Sequence, residues 1–270
     1  MAANQDTRSM ALFCDFENVA LGVREAKYAQ FDIGKVLERL LLKGTIVVKK
    51  AYCDWDRYKD FKPAMHSAAF ELIEIPHVRQ SGKNSADIRM VVDALDLCYT
   101  KSHVDTFVIL SGDSDFSPLV SKLRENAKTV IGVGVKNSSS DLLIANCDEF
   151  IYYDDLVRED EAKRRAARKR KESRPPSTAK ESAPSEDKRQ EALDLALETV
   201  HALIAERGED ERIWGSMVKQ ALKRRNPGFN ESYYGFRAFS DLLEEAQKRG
   251  LLALERDDKS GGYIIRRAAG

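Results

Sequence analysis

The chain has 270 residues, of which 43% are hydrophobic and 33% are charged, and its formal net charge is zero. No stretch approaches the roughly 18 consecutive apolar residues of a membrane helix, and the polar start MAANQDTRSM lacks an apolar signal-peptide core. These features exclude a helical membrane protein, and we expect a cytoplasmic protein with room for two domains.

The charges are unevenly distributed along the chain. Residues 1–157 hold 19 basic and 23 acidic residues, a net charge of −4. Residues 158–190 hold 12 basic and 7 acidic residues, a net charge of +5, and residues 191–270 hold 13 and 14, a net charge of −1. A phosphate backbone responds to local charge within a Debye length of about 10 Å, so neutrality of the whole chain does not argue against a polyanionic partner.

Short apolar runs rich in β-branched residues predict six strands in the first part of the chain. They lie at residues 10–15, 45–53, 70–75, 106–112, 129–135 and 150–153. Apolar residues at helical spacing predict helices at 33–43, 85–99, 117–126 and 139–147. Because strands and helices alternate, we expect parallel pairing with helices on both faces. Residues 1–157 are therefore predicted to form an α/β domain with a doubly wound parallel sheet.

The segment 158–190 is charged and poor in apolar residues, and it includes the run KRRAARKRK. A segment of this composition buries too little apolar surface to offset its chain entropy, so we predict a basic flexible linker. Three interpretations of the basic run stay open: it extends the preceding helix, it lies along RNA, or it is a solvated charge run.

Residues 191–270 predict a second, smaller domain. Helical patterns lie at 191–206, 216–225 and 236–250, and the runs LLALER and GYIIRR frame DDKSGG as a β-hairpin. Three helices followed by a two-stranded wing are typical of a winged helix-turn-helix domain. We assign Phe236 and Phe239 to its core.

Aspartates follow two of the predicted strands. Asp15 ends the first strand in FCDFEN, and Asp113 and Asp115 follow the fourth strand in FVILSGDSDF. In an open parallel sheet, functional groups collect beyond the carboxyl ends of the strands, near the point where strand order reverses. If the first and fourth strands are neighbours, these three carboxylates share one crevice.

A fourth candidate, Asp87, begins the helix after the third strand and could project over the same edge. Asp93 lies six positions further on, about 120° around the helix at about 100° per residue. It is therefore the weaker candidate, and at most it contacts another site residue without binding the metal. Each acid also has an ordinary structural alternative, as an Asx turn, a helix cap or a solvated surface charge.

Clustered carboxylates repel one another unless a cation compensates their charge. A site made of oxygen ligands suits Mg²⁺ or Mn²⁺, and such an ion activates water and stabilises a leaving oxygen. These residues therefore predict phosphodiester hydrolysis. Asn18, Ser111 and Ser114 are candidates to hold the water or a phosphate oxygen, and Lys83 is a candidate to neutralise a neighbouring phosphate.

Three segments resemble the NYN branch of the PIN-like nucleases, including the LabA-like proteins, over about residues 8–156. They are DFEN, GKNSADIRMVVDAL and FVILSGDSDFSPLVSKLRE. In that family the corresponding positions form an acidic metal site for RNA cleavage, which implies catalytic and metal-binding roles here for Asp15, Asp87, Asp113 and Asp115. One departure is the Asn84-Ser85-Ala86 segment, where family members often have Gly and Val.

Residues 193–267, above all the segment KRRNPGFNESYYGFRAFSDLLEEA, resemble the OST-HTH or LOTUS domain. The resemblance implies that this module binds RNA or a helicase partner. Its candidate phosphate and stacking contacts are Lys223, Arg224, Arg225, Arg237, Tyr233 and Tyr234.

Two functions fit these features. The first is a metal-dependent endoribonuclease to which the second module presents RNA, since tethering raises the local substrate concentration. The alternative is an RNA-binding adaptor whose NYN domain has little activity and recruits processing partners. The complete set of acids favours the ribonuclease. A phosphatase acting on a small molecule ranks last, because DFEN lacks the DxDxT or DxDxV pattern of aspartyl-phosphate enzymes.

Overall fold

A computed structural model describes residues 8–75, 85–172, 184–208, 211–257 and 260–267. Contacts divide the chain into two compact units. The first covers most of the chain up to residue 169, and the second covers the chain from residue 170 onward.

The first unit is built on a six-stranded sheet in which every neighbouring pair is parallel. Its strands are β1 (Arg8–Asp15), β2 (Gly44–Cys53), β3 (Glu71–Glu74), β4 (Thr106–Leu110), β5 (Thr129–Gly134) and β6 (Glu149–Tyr152). The strand order is β3-β2-β1-β4-β5-β6. The chain thus builds the sheet outward from β1 in one direction and then from β4 in the other, so strand order reverses between β1 and β4.

Helices cover both faces of this sheet. They are α1 (Phe16–Glu25), α2 (Ile33–Lys43), α3 (Lys62–Ser67), α4 (Ser85–Thr100), α5 (Ser117–Glu125), α6 (Asp141–Asn146) and α7 (Tyr153–Glu172). Buried side chains of α1, α2, α3 and the start of α7 share one core, and those of α4, α5 and α6 share the other. The doubly wound α/β architecture predicted from the sequence is confirmed.

The central strand β1 shows why its sequence is an unbroken apolar run. Its side chains alternate between the two cores: Met10, Leu12 and Cys14 face one, and Ala11 and Phe13 face the other. All five residues are fully buried. A parallel strand that is covered on both faces is apolar at every position, whereas a half-exposed strand alternates.

The sequence pattern did not predict α1, which starts at the residue after β1 with no loop between them. Asp15 is both the last residue of the strand and the N-cap of the helix, and its side chain accepts a hydrogen bond from the backbone N–H of Asn18. The helix buries Phe16, Val19 and Val23 against the sheet. This direct transition fixes the position of the Asp15 carboxylate.

The structure differs from the flexible linker predicted for residues 158–190. Helix α7 continues to Glu172, and the next helix begins at Pro184. Lys, Arg, Glu and Ala are good helix formers, and acidic Asp154 and Asp155 in the first turn complement the helix dipole. Arg39 of α2 also pairs with Glu159 at 2.6 Å and anchors the first half of α7.

The described residues of the second unit form three helices and a small antiparallel sheet. Its elements are α8 (Pro184–Arg207), β7 (Ile213–Trp214), α9 (Gly215–Arg225), α10 (Phe239–Lys248), β8 (Leu252–Arg256) and β9 (Tyr263–Arg267). The sheet order is β7-β9-β8, so the predicted hairpin gains a third, two-residue strand. Phe236 and Phe239 are buried in its core, as predicted.

Across the described ranges, no helix is both long enough and apolar enough to span a membrane. The four cysteines are free thiols, and Cys14, Cys53 and Cys98 are buried.

Candidate active site

Asp15 lies at the carboxyl end of β1, next to the point where strand order reverses. It is only 8% exposed. Its Oδ1 accepts a hydrogen bond of 3.3 Å from the backbone N–H of Asn18, and its Oδ2 accepts one of 3.0 Å from the hydroxyl of Ser111. Both carboxylate oxygens are therefore held in a fixed orientation.

The segment after β4 is tied to β1 by two of the residues predicted to assist the acids. The Asn18 side-chain oxygen accepts a hydrogen bond of 2.8 Å from the backbone N–H of Gly112, and the buried Ser111 hydroxyl accepts one of 3.1 Å from the N–H of Asp113. Asn18 and Ser111 thus fix the ends of two neighbouring strands relative to each other.

Gly112 is required by close packing against the loop that follows β5. A Cβ atom at this position would lie 2.2 Å from the backbone oxygen of Ser138. The backbone N–H of Ser140 also donates a hydrogen bond of 2.9 Å to the Gly112 carbonyl. The glycine of the SGDSDF motif therefore allows the backbone to pack closely against this loop, and Asp113 follows it at the carboxyl end of β4.

Asp113 caps a short 3-10 helix, Ser114–Phe116, and Asp115 lies within it. The Asp113 Oδ1 accepts a hydrogen bond of 2.9 Å from the backbone N–H of Asp115, whose side chain is exposed. Asp113 thus combines a capping role with a position beside Asp15, while Asp115 faces outward.

The four predicted aspartates are linked through the pKa values of Asp15 and Asp87. The pKa of Asp15 is raised to about 7 by burial and by the charges of Asp87 and Asp113, against the opposing hydrogen bonds from Asn18 and Ser111. The pKa of Asp87 is likewise raised to about 6, by burial and by the charges of Asp113 and Asp115. The site therefore carries negative potential that its own hydrogen bonds do not neutralise.

Glu17 is a fifth acid at this site that the sequence analysis did not single out. Its charge also raises the pKa of Asp87, and its carboxylate pairs with Arg57 at 3.0 Å. It is the third letter of the DFEN motif, in the first turn of α1. Its proximity in sequence to Asp15 was the available signal.

Asp93 does not join the acidic cluster through its contacts. Its carboxylate accepts hydrogen bonds from the Tyr52 hydroxyl at 2.9 Å, Lys50 Nζ at 3.3 Å and Arg89 Nε at 3.0 Å. These partners lower its pKa although burial opposes them. The prediction that Asp93 supports the site is corrected, because its position around α4 points it toward β2.

The two remaining candidates from the sequence are Ser114 and Lys83. Ser114 lies within the 3-10 helix between Asp113 and Asp115 and is partly exposed. Lys83, predicted to neutralise a phosphate, lies outside the described residues.

The acidic site fits an open Mg²⁺ or Mn²⁺ site better than a closed metal centre. Among the residues that the structure describes, no three His, Cys, Asp or Glu side chains converge on a common point. Mg²⁺ is commonly bound through one or two carboxylates together with waters and substrate phosphates. The pKa values of Asp15 and Asp87 are raised first by burial and then by the charges of neighbouring acids, and a divalent ion would compensate those charges.

In the second unit, the four basic residues predicted to contact phosphate divide into two pairs. Lys223 and Arg237 are exposed. Arg225 is only 10% exposed and pairs with Glu198 of α8 at 2.8 Å, and burial lowers the pKa of Arg224. The prediction of phosphate contacts is therefore corrected for Arg224 and Arg225, because both guanidinium groups are taken up in packing.

The two predicted stacking tyrosines also differ. Tyr234 stacks on Phe229, with ring centroids 5.2 Å apart, and packs against the core. Tyr233 is 61% exposed, and Lys188 Nζ lies 4.2 Å from its ring centroid. Lys188, which the sequence analysis had placed in the linker, thus joins Tyr233 at an exposed surface.

Comparison with known proteins matches residues 9–154, more than half of the chain, to the NYN domain family. The match covers the whole parallel sheet and the acidic site. It does not extend to the second unit, so the resemblance of residues 193–267 to the LOTUS domain stays a prediction.

Two known proteins are similar to part of this chain. An uncharacterized protein of Methanocaldococcus jannaschii is 28% identical over 117 residues, which are 43% of this chain and 45% of that protein. The chain therefore matches about half the length of that relative. A crystal structure of a protein of unknown function from Vibrio parahaemolyticus is 27% identical, with a TM-score of 0.50, and the match covers 56% of this chain and 96% of that one.

Proposed function

We propose that this chain, which belongs to the NYN domain family, is a metal-dependent ribonuclease with its acidic site at Asp15, Asp87, Asp113 and Asp115. Membership places the first unit among the PIN-like nucleases. The observation that carries the proposal is the position of Asp15 and Asp113 at the carboxyl ends of β1 and β4, joined through Ser111 at the point where strand order reverses.

Each residue contributes a separate task. Of Asp15, Asp87, Asp113 and Asp115, one or two would hold the cation directly, and the others would hold its bound waters. A divalent ion supplies a water of lowered pKa and compensates charge on the leaving oxygen. Ser111 and Asn18 keep Asp15 oriented through the hydrogen bonds that join β1 to β4, so the carboxylate needs little reorganisation when substrate binds.

RNA as the substrate is proposed from the second unit. Its exposed Tyr233 has Lys188 over the ring and so combines an aromatic surface with positive charge, and Lys223 and Arg237 are exposed for phosphate contact. The LOTUS-like sequence pattern favours RNA binding by this unit. We also propose that this unit can bind a protein partner and that the protein is cytoplasmic. A tethered binding module raises the concentration of RNA at the acids.

The test is cleavage of single-stranded and hairpin RNA by the purified protein with Mg²⁺ or Mn²⁺, with chelator, and with Asp113→Asn. We expect cleavage only with the metal and the intact site, and products with 5′-phosphate and 3′-hydroxyl ends, because the attacking group is water. Cleavage that persists in chelator, or products with 2′,3′-cyclic phosphate, would overturn the proposal. RNA binding without cleavage under every metal condition would instead identify an RNA-binding adaptor.

A further inference from the structure

An open cleft of about 720 Å³ adjoins the acidic site in the first unit. It lies between α4, the segment from the 3-10 helix into α5, and α6. Asp87 and Asp115 line one part of it. Two of the four proposed metal ligands are therefore also walls of this cleft, and a group bound at the acids would have the cleft within reach.

The walls of the cleft are largely apolar. Helix α4 contributes Ile88, Val91 and Val92, and the facing side contributes Pro118 and Leu142. Ile88 is 62% exposed, Val92 55% and Leu142 57%. Three large, exposed apolar side chains around one cleft are typical of a surface that binds a ligand or a partner.

Polar groups are also placed within the cleft. Ser117 lines it and is only 6% exposed, and its hydroxyl has no hydrogen-bond partner in the described part of the protein. A buried hydroxyl without a partner is unfavourable, and rotation about one bond redirects it. Ser121 and Asn146 add a further hydroxyl and amide, which contact each other at 3.4 Å.

We propose that this cleft binds an unstacked nucleobase of the substrate strand, next to the scissile phosphate, and so selects single-stranded RNA. The inference rests on the proposed ribonuclease function and specifies its substrate. A nucleobase has apolar faces and a polar edge, which match the aliphatic walls and the Ser117 hydroxyl. The cleft volume falls within the range of about 300 to 1,000 Å³ of small-molecule sites.

The charges at the cleft determine which part of the RNA strand would lie where. Asp87 and Asp115 repel a phosphate unless a cation lies between them, so the phosphate belongs at the metal and the neutral base in the apolar part. A base within an A-form duplex is stacked on both faces and cannot enter such a cleft. The same geometry therefore disfavours double-stranded substrate.

The experiment measures binding in an Asp113→Asn background with Mg²⁺, so that cleavage does not interfere. Fluorescence anisotropy compares a single-stranded oligoribonucleotide with an abasic oligomer of the same length. The cleft variant is Ile88→Ser/Val92→Ser/Leu142→Ser, and Ser117→Ala is a second, milder variant. Val47→Ser is the matched control, since Val47 is 44% exposed on β2 and is not a cleft residue. Thermal unfolding confirms that each variant is folded.

We expect the cleft variant to bind the intact oligomer about tenfold more weakly, because the apolar contacts to one base are lost. Its affinity for the abasic oligomer should be unchanged. Ser117→Ala should show a smaller loss of the same kind, and Val47→Ser none. Equal losses for intact and abasic oligomers, or no loss at all, would overturn the inference, as would cleft-dependent binding of duplex RNA. If the inference is overturned in this way but the protein with Asp113 intact still cleaves RNA in a metal-dependent manner, the proposed function is retained and only the nucleobase site is rejected.

Discussion

The Ser111 hydroxyl donates a hydrogen bond of 3.0 Å to the Oδ2 of Asp15 and joins the ends of the two central strands. Ser111 is fully buried, and its oxygen also accepts the backbone N–H of Asp113. One hydroxyl therefore orients the carboxylate at the end of β1 and the turn after β4. This relationship makes Ser111 the positioning residue of the acidic site.

Ser111→Ala should lower the single-turnover rate of RNA cleavage about 10- to 100-fold, the usual cost of losing a partner that orients a metal ligand. The hydrogen bond lowers the pKa of Asp15, so its loss should raise that pKa further and move the pH–rate profile toward higher pH. Ser111→Cys would test whether a weak donor of similar size restores part of the rate. An unchanged pH profile in Ser111→Ala would refute the positioning role.

The metal-free protein should lose stability as the pH rises from about 4 to 7. The pKa of Asp15 is raised from its usual 3.8 to about 7, and that of Asp87 from 3.8 to about 6. Within this window the folded protein binds protons that the unfolded chain has released, so the free energy of unfolding falls with rising pH.

Denaturant unfolding at pH 5 and pH 7.5 checks this expectation. The difference between the two free energies should shrink in Asp15→Asn, and it should shrink in the wild type when Mg²⁺ or Mn²⁺ is added, because the cation replaces the lost proton. Other titrating groups are common to both proteins and cancel in the comparison. An identical pH dependence in Asp15→Asn and wild type would contradict the coupling.

Gly112→Ala should reduce the free energy of unfolding by about 1 to 3 kcal/mol, because the new methyl group would press against the backbone at Ser138. Cleavage should fall with it, since Asp113 follows directly. Gly228→Ala is the matched control, because a Cβ there meets nothing within 4 Å. Equal free energies of unfolding for the two variants, measured by chemical denaturation, would show that the close approach at Gly112 does not affect stability.

Tyr233→Ala should weaken RNA binding by the full-length protein about 5- to 100-fold, the usual range for loss of one stacking platform. Single-turnover cleavage at saturating RNA should change little, because Tyr233 belongs to the second unit. Tyr99→Ala removes a tyrosine of similar exposure, 64%, from the first unit and should leave the affinity unchanged. Equal affinities for Tyr233→Ala and wild type would remove this surface from the proposal.

Sequence patterns predicted the parallel sheet because strands buried on both faces are continuous apolar runs, as in β1. They predicted the acids at strand ends, since the position of Asp15 and Asp113 follows from topology. Helix α1 was missed because it follows β1 without a break, so no turn residue announces it. Glu17 was missed for the same reason, as it lies inside that transition.

Other features depend on packing that a linear pattern does not contain. Lys223 and Arg225 belong to one basic run, yet Lys223 is exposed while Arg225 pairs with Glu198. Which member of the run faces α8 follows from how α9 packs against it. The cleft beside Asp87 likewise arises where three successive helices, α4, α5 and α6, pack around it.

The most direct test of the account is a comparison of Asp87→Asn with Asp93→Asn in single-turnover RNA cleavage at saturating Mn²⁺. Both aspartates lie on α4, and both changes remove one charge. Asp87 is coupled to Asp15 and Asp113, whereas Asp93 is bound by Tyr52, Lys50 and Arg89.

We expect Asp87→Asn to lose at least about 100-fold in rate, since a proposed metal ligand is removed, and Asp93→Asn to retain the rate while losing thermal stability. Thermal unfolding of both variants separates the two effects. Equal rates for the folded variants, or a greater loss in Asp93→Asn, would contradict the assignment of the acidic site.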